Sequence, residues 1–233
     1  MILQDIAIIK EVIKATPTVV LVRFSLKSGK NFDYKPGQYV QFILKKQEKV
    51  FIKQYSIVSL PSQKSYYEIC VKVIPNGFFS NYMANSKKGH ELPVRGPFGV
   101  FFLQEPVQND SIFLATGTGI SSIKPMIETI LEKRTDKHVW LFFGVKAEDE
   151  IIYRKEFEEL AKKHHNFHFV PMLSHPDKPW KGETGRVQDV MTKMLKDFSD
   201  KDVYLCGVQA AVEEQKVLCD KLGFKNIYFE KYV

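Results

Sequence analysis

This sequence lacks a disulfide pattern, and it has no hydrophobic run near the roughly 20 residues that a membrane span requires. Its three cysteines, Cys70, Cys206 and Cys219, are an odd number without close pairing. Such usage indicates a reducing compartment, so we expect a cytoplasmic protein. No C-x-x-C motif or His/Cys cluster occurs, so we expect neither zinc nor an iron–sulfur centre. The first residues, Met1 to Asp5, show no signal peptide.

Acidic residues are fewer than basic ones. The 27 Asp and Glu stand against 34 Lys and Arg, which gives a formal net charge of +7. The lysines are scattered along the chain, as is typical of a solvated surface. If the excess has a function, it favours an acidic docking partner over nucleic acid. The 44% hydrophobic content is ordinary for a protein with a core, and 233 residues allow one large domain or two of ordinary size.

The first half of the chain has the pattern of short strands separated by turns. β-Branched and partly alternating residues predict strands at 18–26, 39–44, 54–59, 66–73 and 90–95. A short helix is expected at 80–86. Strands at this spacing predict a small antiparallel β-barrel of six strands. The polar segment 104–110 predicts a boundary, with domains at 1–103 and 104–233.

The second half alternates between strands and helices. The pattern predicts strands at 112–115, 139–144, 167–173, 202–206 and 226–230. Helices are predicted between them, at 120–131, 154–163, 187–195 and 208–222. This alternation predicts parallel βαβ units in a doubly wound α/β sheet. Ligands of such sheets bind beyond the carboxyl ends of the strands, which here means the stretches 116–119, 144–146, 174–175 and 206–207.

The stretch Thr116-Gly117-Thr118-Gly119 lies between a predicted strand and a predicted helix. Glycines let the backbone approach an anion, and the free N–H groups of the first helical turn point at it, so the pattern predicts a phosphate-binding turn. It is not the full G-x-G-x-x-G of a dinucleotide site. A plain tight turn is the alternative interpretation of this stretch alone.

Seven further motifs follow one another along the chain. They are Lys53-Gln54-Tyr55-Ser56, Gly77-Phe78-Phe79-Ser80, Gly-Pro-Phe-Gly-Val-Phe at 96–101, Leu-Phe-Phe-Gly-Val-Lys at 141–146, Met-Leu-Ser-His at 172–175, Tyr-Leu-Cys-Gly at 204–207 and the tail at 229–233. In this order, with the turn at 116–119, they resemble the ferredoxin–NADP reductase superfamily over nearly the whole chain. The resemblance implies an FAD-binding β-barrel followed by an NAD(P)-binding α/β domain.

For FAD, the resemblance implies that Tyr55 stacks on the flavin ring and that Ser56 hydrogen-bonds the ring nitrogen that exchanges hydride. Lys53, where the family usually has Arg, would meet the pyrophosphate without the bidentate fork of a guanidinium. The other expected FAD contacts are Gln54, Val71, Gly77, Phe78, Phe79 and Ser80. From the residues alone, Tyr55 could equally be a core aromatic and Ser80 a simple helix N-cap.

For NADH or NADPH, the expected contacts are Thr116, Gly117, Thr118, Gly119, Gly144, Lys146, Ser174, His175, Cys206, Gly207 and Tyr232. Thr116 and Ser122 stand where the family has Gly and Pro, and hydroxyls there could add hydrogen bonds to the pyrophosphate. His175 stands where NADPH-using members often have an Arg for the 2′-phosphate. A neutral imidazole binds phosphate poorly, so we expect NADH to be favoured, with Lys178 and Lys181 available to support NADPH.

The resemblance also implies catalytic roles for Ser56, Cys206 and Glu230. Cys206 and Glu230 would flank the nicotinamide ring, and Tyr232 would cover the flavin until nicotinamide arrives. From the residues alone, a buried strand cysteine and an exposed tail aromatic are the alternatives.

The implied function is hydride transfer from NADH or NADPH to FAD, followed by electron release to a separate acceptor. The expected acceptor is an acidic ferredoxin or flavodoxin, or an oxygenase component. A reductase that uses free flavin as a substrate is the second hypothesis. The third is a non-catalytic electron-transfer or regulatory subunit of a larger complex, although such subunits usually carry an added cysteine cluster. We expect no nucleic-acid or membrane partner.

Overall fold

A computed structural model describes residues 2–176 and 179–232, and the chain divides into two compact units. The first comprises Met1–Leu103 with Lys124–Met126, and the second comprises Gln104–Ile123 with Ile127–Val233. Within the described ranges, no helix is long and apolar enough to cross a membrane.

The first unit is built on a six-stranded antiparallel sheet. Its strands are β1 (Leu3–Thr16), β2 (Val19–Leu26), β3 (Tyr39–Lys46), β4 (Lys49–Ser56), β5 (Tyr67–Lys72) and β6 (Glu91–Phe98). They follow the order β4-β3-β6-β1-β2-β5, and an isolated bridge between Ile57 and Ile69 joins the two edges. A short helix, α1 (Phe78–Ala84), follows β5. The antiparallel six-stranded fold predicted for this half is confirmed.

Aromatic side chains fill the interior of the first unit. Phe24 and Phe42 are fully buried and meet edge to face, with ring centroids 5.2 Å apart. The Tyr67 hydroxyl accepts a hydrogen bond from the Phe32 N–H at 2.8 Å and donates to Asn31 Oδ1 at 3.0 Å. Its polar end is therefore satisfied although its ring is buried. This packing joins β2, β3 and β5 in one core.

Two strands differ from the sequence-based expectation. β1 covers 14 residues for which the pattern predicted no separate strand. Its register against β2 shifts between Ile9 and Glu11 and again between Lys14 and Thr16. Each shift interrupts the apolar–polar alternation that identifies a strand in a sequence. β4 begins at Lys49, five residues before the predicted strand, and α1 begins two residues before the predicted helix.

The second unit is built on a parallel sheet of six strands. These are β7 (Asp110–Thr116), β8 (Val139–Val145), β9 (Phe167–Leu173), β10 (Glu183–Thr184), β11 (Lys201–Val208) and β12 (Asn226–Tyr232), in the order β10-β9-β8-β7-β11-β12. The helices are α2 (Ile120–Glu132), α3 (Arg154–Lys163), α4 (Val187–Met194) and α5 (Gln209–Leu222). The predicted strand–helix alternation is confirmed. The two-residue β10 is an addition that no apolar run indicates.

Helices cover both faces of this parallel sheet. Leu114 and Val170 pack in one cluster with Val212 of α5. Phe157 of α3 instead contacts Phe169, with ring centroids 5.2 Å apart. Phe169 and Val170 are successive residues of β9, so their side chains face opposite sides of the sheet. The helices that they contact, α3 and α5, therefore lie on opposite faces. The parallel direction places the carboxyl ends of all six strands at one edge.

Candidate functional site

The four predicted ligand-binding stretches meet at the carboxyl edge of the second sheet. β9, β8, β7 and β11 are consecutive neighbours. Thr116 is paired with Gly144, and Ala115 with Cys206. The stretches 116–119, 144–146, 174–175 and 206–207 therefore lie side by side, where doubly wound sheets bind ligands.

The turn after β7 depends on a glycine conformation. Gly117 has a φ of +53°, and a short 3₁₀ turn over Gly117–Gly119 leads directly into α2. Outside its own turn and its two chain neighbours, no heavy atom of the described chain lies within 4 Å of the point where a Cβ of Gly117 would stand. Positive φ therefore explains this glycine, and the space beside it is open. The Ser121 hydroxyl donates to the Thr118 carbonyl oxygen at 2.7 Å and secures the turn.

Two other glycines at this edge allow close backbone approach. A Cβ added at Gly119 would overlap the Cys206 carbonyl oxygen, and one added at Gly207 would overlap the Thr116 hydroxyl oxygen. Thr116 Oγ1 is buried and has no hydrogen-bond partner in the described part of the chain. An unsatisfied buried hydroxyl costs about 1–3 kcal/mol. A ligand that supplied the missing partner would offset that cost, so this corner fits the polar groups of a dinucleotide.

The loops after β8 and β9 are tied to each other through their backbones. The Ser174 N–H donates to the Val145 carbonyl oxygen at 3.0 Å, and the His175 N–H donates to the Lys146 carbonyl oxygen at 3.1 Å. Ser174 Oγ lies 2.9 Å from His175 Nδ1, and both side chains are exposed. The two predicted contacts therefore act as one exposed polar pair.

Mixed charges surround these two loops. Glu150 Oε2 accepts a hydrogen bond from the Lys146 N–H at 3.3 Å, which brings a carboxylate to this end of the edge. The Lys146 and Lys181 side chains are exposed. Lys178, predicted as a support for NADPH, lies outside the described residues.

Three predicted residues, Cys206, Glu230 and Tyr232, come together with two serines of α2. Parallel pairing of β11 and β12 sets Cys206 beside Glu230. The Ser122 hydroxyl donates to Glu230 Oε2 at 3.1 Å and lies 2.7 Å from the Tyr232 hydroxyl. Cys206 Sγ lies 3.8 Å from Ser122 Oγ. Ser121 Oγ lies 3.2 Å from the Tyr232 hydroxyl. We call these five residues the edge cluster.

Burial controls the ionisation of the edge cluster. It raises the pKa of Glu230 to about 7, although the hydrogen bond from Ser122 acts in the opposite direction. Burial also raises the pKa of Cys206 and of Tyr232, and the neighbouring Glu230 carboxylate adds to both shifts. The thiol and the phenol are therefore protonated at neutral pH, while Glu230 is divided between its acid and carboxylate forms. The cluster can hold or release one proton at Glu230.

Sequence analysis did not identify Ser121 and Ser122 as members of this cluster. Of the two, only Ser122 was noted, as a departure from the family's proline whose hydroxyl could bind the pyrophosphate. Ser122 and Glu230 are separated by 108 positions along the chain. The signal available in the sequence was a pair of serines at the start of an apolar helix. In the structure both are buried, with Ser121 3% and Ser122 0% exposed.

The predicted flavin motif lies at the end of β4 in the first unit. Ser56 is buried, whereas Lys53 and Gln54 are exposed. The half-buried Tyr55 ring lies near those of Phe42 and Phe79, with centroids 6.2 and 6.1 Å away. Burial raises the pKa of Tyr55, so its phenol stays neutral. Lys53 and Tyr55 point to the same side of the strand because they are two residues apart.

The turn before α1 uses Ser80 for its own structure. Gly77 is the N-cap, and the buried Ser80 hydroxyl accepts a hydrogen bond from the Ile74 N–H at 3.0 Å. The Asn81 amide donates to the Ile74 and Gly77 carbonyl oxygens at 2.8 and 2.7 Å. Ser80 is therefore not the N-cap, which corrects the alternative considered for it. Val71 is fully buried in the core of this unit, and Phe79 is 4% exposed.

Aromatic contacts join β4 to α1. Phe51 and Phe78 have ring centroids 5.2 Å apart, next to the Tyr55–Phe79 pair. A groove of about 420 Å³ lies along α1, lined by Asn76, Gly77, Phe78, Asn81, Tyr82 and Asn85. Aromatic rings, side-chain amides and the exposed Lys53 ammonium are the chemistry that an aromatic ring system linked to a pyrophosphate requires, so these residues fit FAD.

Comparison with known proteins identifies the same two parts. The oxidoreductase FAD-binding domain matches residues 7–103, and the oxidoreductase NAD-binding domain matches residues 113–216. NADH-cytochrome b5 reductase 1 of Dictyostelium discoideum is 30% identical over 210 residues, which cover 88% of this chain and 73% of that protein. The anthranilate 1,2-dioxygenase electron transfer component of Acinetobacter baylyi is 28% identical over 219 residues, or 93% of this chain. This chain spans 63% of the length of that relative.

Solved structures share the fold. A cytochrome P450 reductase of Amycolatopsis superposes with a TM-score of 0.90 at 23% identity, over 99% of this chain and 70% of that one. The chain belongs to the ferredoxin–NADP reductase superfamily, and its cofactors are FAD and NAD(P)H. The family resemblance stated from the sequence is thereby confirmed.

Proposed function

We propose that this chain is an NAD(P)H-dependent flavoprotein reductase that passes electrons to a separate acceptor. The observation that carries the proposal is the carboxyl edge of the second sheet, where the edge cluster and the Thr116 hydroxyl, which has no partner among the described residues, lie at the ends of β7, β11 and β12. Its FAD-binding and NAD-binding domains support the same conclusion. When bound, the two cofactors supply the hydride chemistry, and the protein orients them and tunes their electrostatics.

We assign the residues of the first unit to FAD. Lys53 neutralises the pyrophosphate, and Tyr55 offers the face of a neutral ring to the flavin. Ser56, at the end of the same strand, is assigned the hydrogen bond to the reacting ring nitrogen. Because Lys53 is exposed and is a point charge, it provides attraction without the two parallel hydrogen bonds of an arginine.

We assign the residues of the carboxyl edge to the nicotinamide cofactor. Thr116 and the open turn at Gly117 receive its phosphate and amide groups. Cys206 lies beside the nicotinamide ring as a small, polarizable contact. Glu230 holds or releases a proton at its carboxyl group near neutral pH, which adjusts the charge next to that ring.

We propose that NADH is the better donor. A 2′-phosphate would meet the exposed Ser174–His175 pair, whose imidazole is a weak anion ligand when neutral. It would also lie on the same edge as the Glu150 carboxylate. Comparison of the rates at which NADH and NADPH reduce the flavin tests this preference, and faster reduction by NADPH would contradict it.

The acceptor that we propose is an acidic redox protein, such as a ferredoxin or flavodoxin, or an oxygenase component. The hairpin formed by β3 and β4 (residues 45–53, the basic hairpin) exposes four lysines: Lys45, Lys46, Lys49 and Lys53. Val50 and Ile52 are 56% and 45% exposed between them. Exposed positive charges beside exposed apolar side chains suit an acidic partner. We place both proteins in the cytoplasm, where the three buried, free cysteines stay reduced.

The test compares acceptors with the same flavin-loaded preparation. We expect FAD to stay bound through gel filtration and NADH oxidation to accelerate with an added acidic ferredoxin, less so as salt rises. Loss of FAD on the column together with preferential reduction of free flavin would favour the free-flavin reductase. Tight FAD without any NADH oxidation would favour a non-catalytic subunit.

A further inference from the structure

The Arg154 guanidinium at the start of α3 is oriented by two carboxylates. Its Nε donates to Glu158 Oε1 at 2.8 Å, one turn further along the helix, and its Nη1 donates to Glu148 Oε1. These two hydrogen bonds, with that to Glu148 first, raise the pKa of Arg154, so the group keeps its charge. Two charge-assisted hydrogen bonds to a planar guanidinium fix its direction as well as its position.

Glu148 ties this guanidinium to the loop after β8. It begins the 3₁₀ turn Glu148–Glu150, two residues after the predicted cofactor contact Lys146. Glu150, at the end of the same turn, accepts the hydrogen bond from the Lys146 N–H. Arg154 is therefore anchored to one of the loops that border the carboxyl edge of the second sheet.

The same guanidinium lies over the indole of Trp180. Arg154 Cζ is 5.5 Å from the centre of the Trp180 ring, which is within the range of a cation–π contact. Trp180 is half-buried, although Pro179 and Lys181 on either side of it are exposed. The tryptophan side chain thus turns back onto the protein while its neighbours face solvent.

Trp180 is also fixed within its own loop. Its Nε1–H donates to the Glu183 carbonyl oxygen at 2.8 Å. A Cβ added at Gly182 would overlap the indole, so the ring lies directly against the backbone of that glycine. Glu183 then begins β10 and pairs with Met172 of β9. The position of the indole therefore sets the path of the chain between β9 and β10.

The loop between β9 and β10 begins with two predicted cofactor contacts. Hydrogen bonds from the Ser174 and His175 N–H groups hold its beginning to the loop after β8, and the pairing of β10 with β9 holds its end. Between these two ends, Trp180 supplies a contact to α3. Arg154 thus links the loop after β8 to the middle of the loop after β9.

We propose that Arg154 is a positioning residue that holds the loop between β9 and β10, through Trp180, so that Ser174 and His175 face the adenosine half of NAD⁺. This inference rests on the proposed nicotinamide-cofactor site. Because two carboxylates already occupy the guanidinium, Arg154 acts on the loop and does not itself bind a phosphate. Release of Trp180 lets the loop sample other positions, and the apparent affinity for NAD⁺ falls with the fraction of chains in the binding-competent position.

Fluorescence of Trp180 tests the contact without reference to turnover. The chain has two tryptophans, so Trp140→Phe leaves Trp180 as the only indole. In the FAD-loaded Trp140→Phe protein, Arg154→Gln should shift the Trp180 emission to longer wavelength and raise its acrylamide quenching constant roughly threefold. Lys155→Gln is the matched control, because it removes the neighbouring exposed cation and should leave emission and quenching unchanged.

Calorimetric titration with NAD⁺, and with ADP-ribose, which lacks the nicotinamide ring, tests the link to the cofactor. We expect Arg154→Gln and Trp180→Leu each to raise the dissociation constants of both ligands roughly threefold. The double variant should exceed either single variant by little, because the two changes break one contact. Arg154→Lys keeps a cation near the ring but lacks the fork for Glu148 and Glu158, so it should recover only part of the loss.

The outcomes separate the contact from its role. Unchanged Trp180 emission and quenching in Arg154→Gln would overturn the contact. Changed emission with wild-type affinity for both ligands, or fold-changes that multiply in the double variant, would overturn the positioning role and leave the proposed cofactor site in place. If Arg154→Gln does not fold, Trp180→Leu, on an exposed loop, carries the binding test.

Two further results bear on the cofactor itself. If Arg154→Gln weakened binding of NADP⁺ far more than binding of NAD⁺, Arg154 would bind the 2′-phosphate directly, and the positioning role would be overturned. A wild-type protein that binds neither NAD⁺ nor ADP-ribose would remove the proposed cofactor site and this inference with it. The fluorescence difference would in that case still show the Arg154–Trp180 contact.

Discussion

The Thr116 hydroxyl lies against the backbone of Gly207, so the ends of β7 and β11 meet where no side chain fits. This contact explains why the hydroxyl is buried, and its missing partner explains why the corner suits a polar ligand. The architecture of the edge and its binding capacity thus depend on the same pair of residues.

Gly207→Ala should therefore disturb both stability and binding. The new methyl group would overlap Thr116 Oγ1, and the shift of β7 or β11 should lower the free energy of unfolding by about 1–3 kcal/mol. NAD⁺ binding should weaken in parallel. Denaturant unfolding and calorimetry measure the two effects.

Two further variants serve as controls for that change. Thr116→Ala combined with Gly207→Ala removes the oxygen that the methyl group overlaps, so it should recover part of the loss. Gly29→Ala is the second control, because the new methyl group would meet no neighbouring side chain or strand in the described structure. It should lower the free energy of unfolding only by the strain of its positive φ, about 1 kcal/mol. A Gly207→Ala protein as stable as the wild type would show that the two strands are not in close contact.

The raised pKa of Glu230 predicts a dependence of stability on pH. The folded protein holds this proton up to about pH 7, whereas the unfolded chain releases it near 4.5. The stability contributed by neutral Glu230 is complete below pH 4.5 and is lost as pH rises through 7. Glu230→Gln cannot ionise, so its stability relative to the wild type should increase between pH 5 and 8, by on the order of 2–3 kcal/mol.

Unfolding midpoints of the two proteins across this pH range provide the measurement. Glu159→Gln, a change on the exposed side of α3, should follow the wild type at every pH. A constant difference between Glu230→Gln and the wild type from pH 5 to 8 would mean that Glu230 does not titrate in this window.

Lys53→Ala should weaken retention of FAD. The change removes the exposed ammonium assigned to the pyrophosphate, and we expect roughly a tenfold rise in the dissociation constant, about 1.4 kcal/mol. Lys53→Arg should bind FAD at least as tightly as the wild type, because the guanidinium can form two parallel hydrogen bonds. Fluorescence of released flavin measures both. Equal retention by the wild type and Lys53→Ala would remove this residue from the FAD site.

Charge reversal at Lys45 or Lys49 of the basic hairpin should act on the acceptor and not on FAD. Lys45→Glu and Lys49→Glu are expected to raise the apparent KM for an acidic ferredoxin roughly threefold to tenfold at low salt, with less effect at high salt. Lys10→Glu, on β1 two strands from β3 and three from β4 in the sheet order, is the matched control. If all three variants change the KM equally, net charge and not the hairpin directs docking.

The sequence predicted the second unit well because its signals are local. Ile112 to Ala115 form an uninterrupted apolar run, and so do the residues that begin β8, so these strands are visible without their neighbours. The first unit was harder to predict, since β1 changes register twice and alternates imperfectly. Its identity as a strand depends on pairing with β2 and β6, which no local pattern contains.

The candidate site shows the same division. Cys206, Glu230 and Tyr232 were found through the family motifs, and the structure brings them together. The sequence showed Ser122 only as a departure from a proline. Its contacts could not be predicted, because they come from the distant strands β11 and β12. A hydrogen-bond network between segments more than 80 positions apart is a product of the fold and is not encoded in any short motif.

The central claim is that one chain binds FAD in its first unit and a nicotinamide cofactor in its second, and passes hydride between them. Anaerobic titration of the FAD-loaded protein with NADH, followed by flavin absorbance, tests it most directly. We predict that the yellow protein is bleached completely by about one equivalent of NADH, because FAD accepts one hydride per molecule. A protein that retains FAD but keeps its colour with excess NADH and NADPH would contradict the claim.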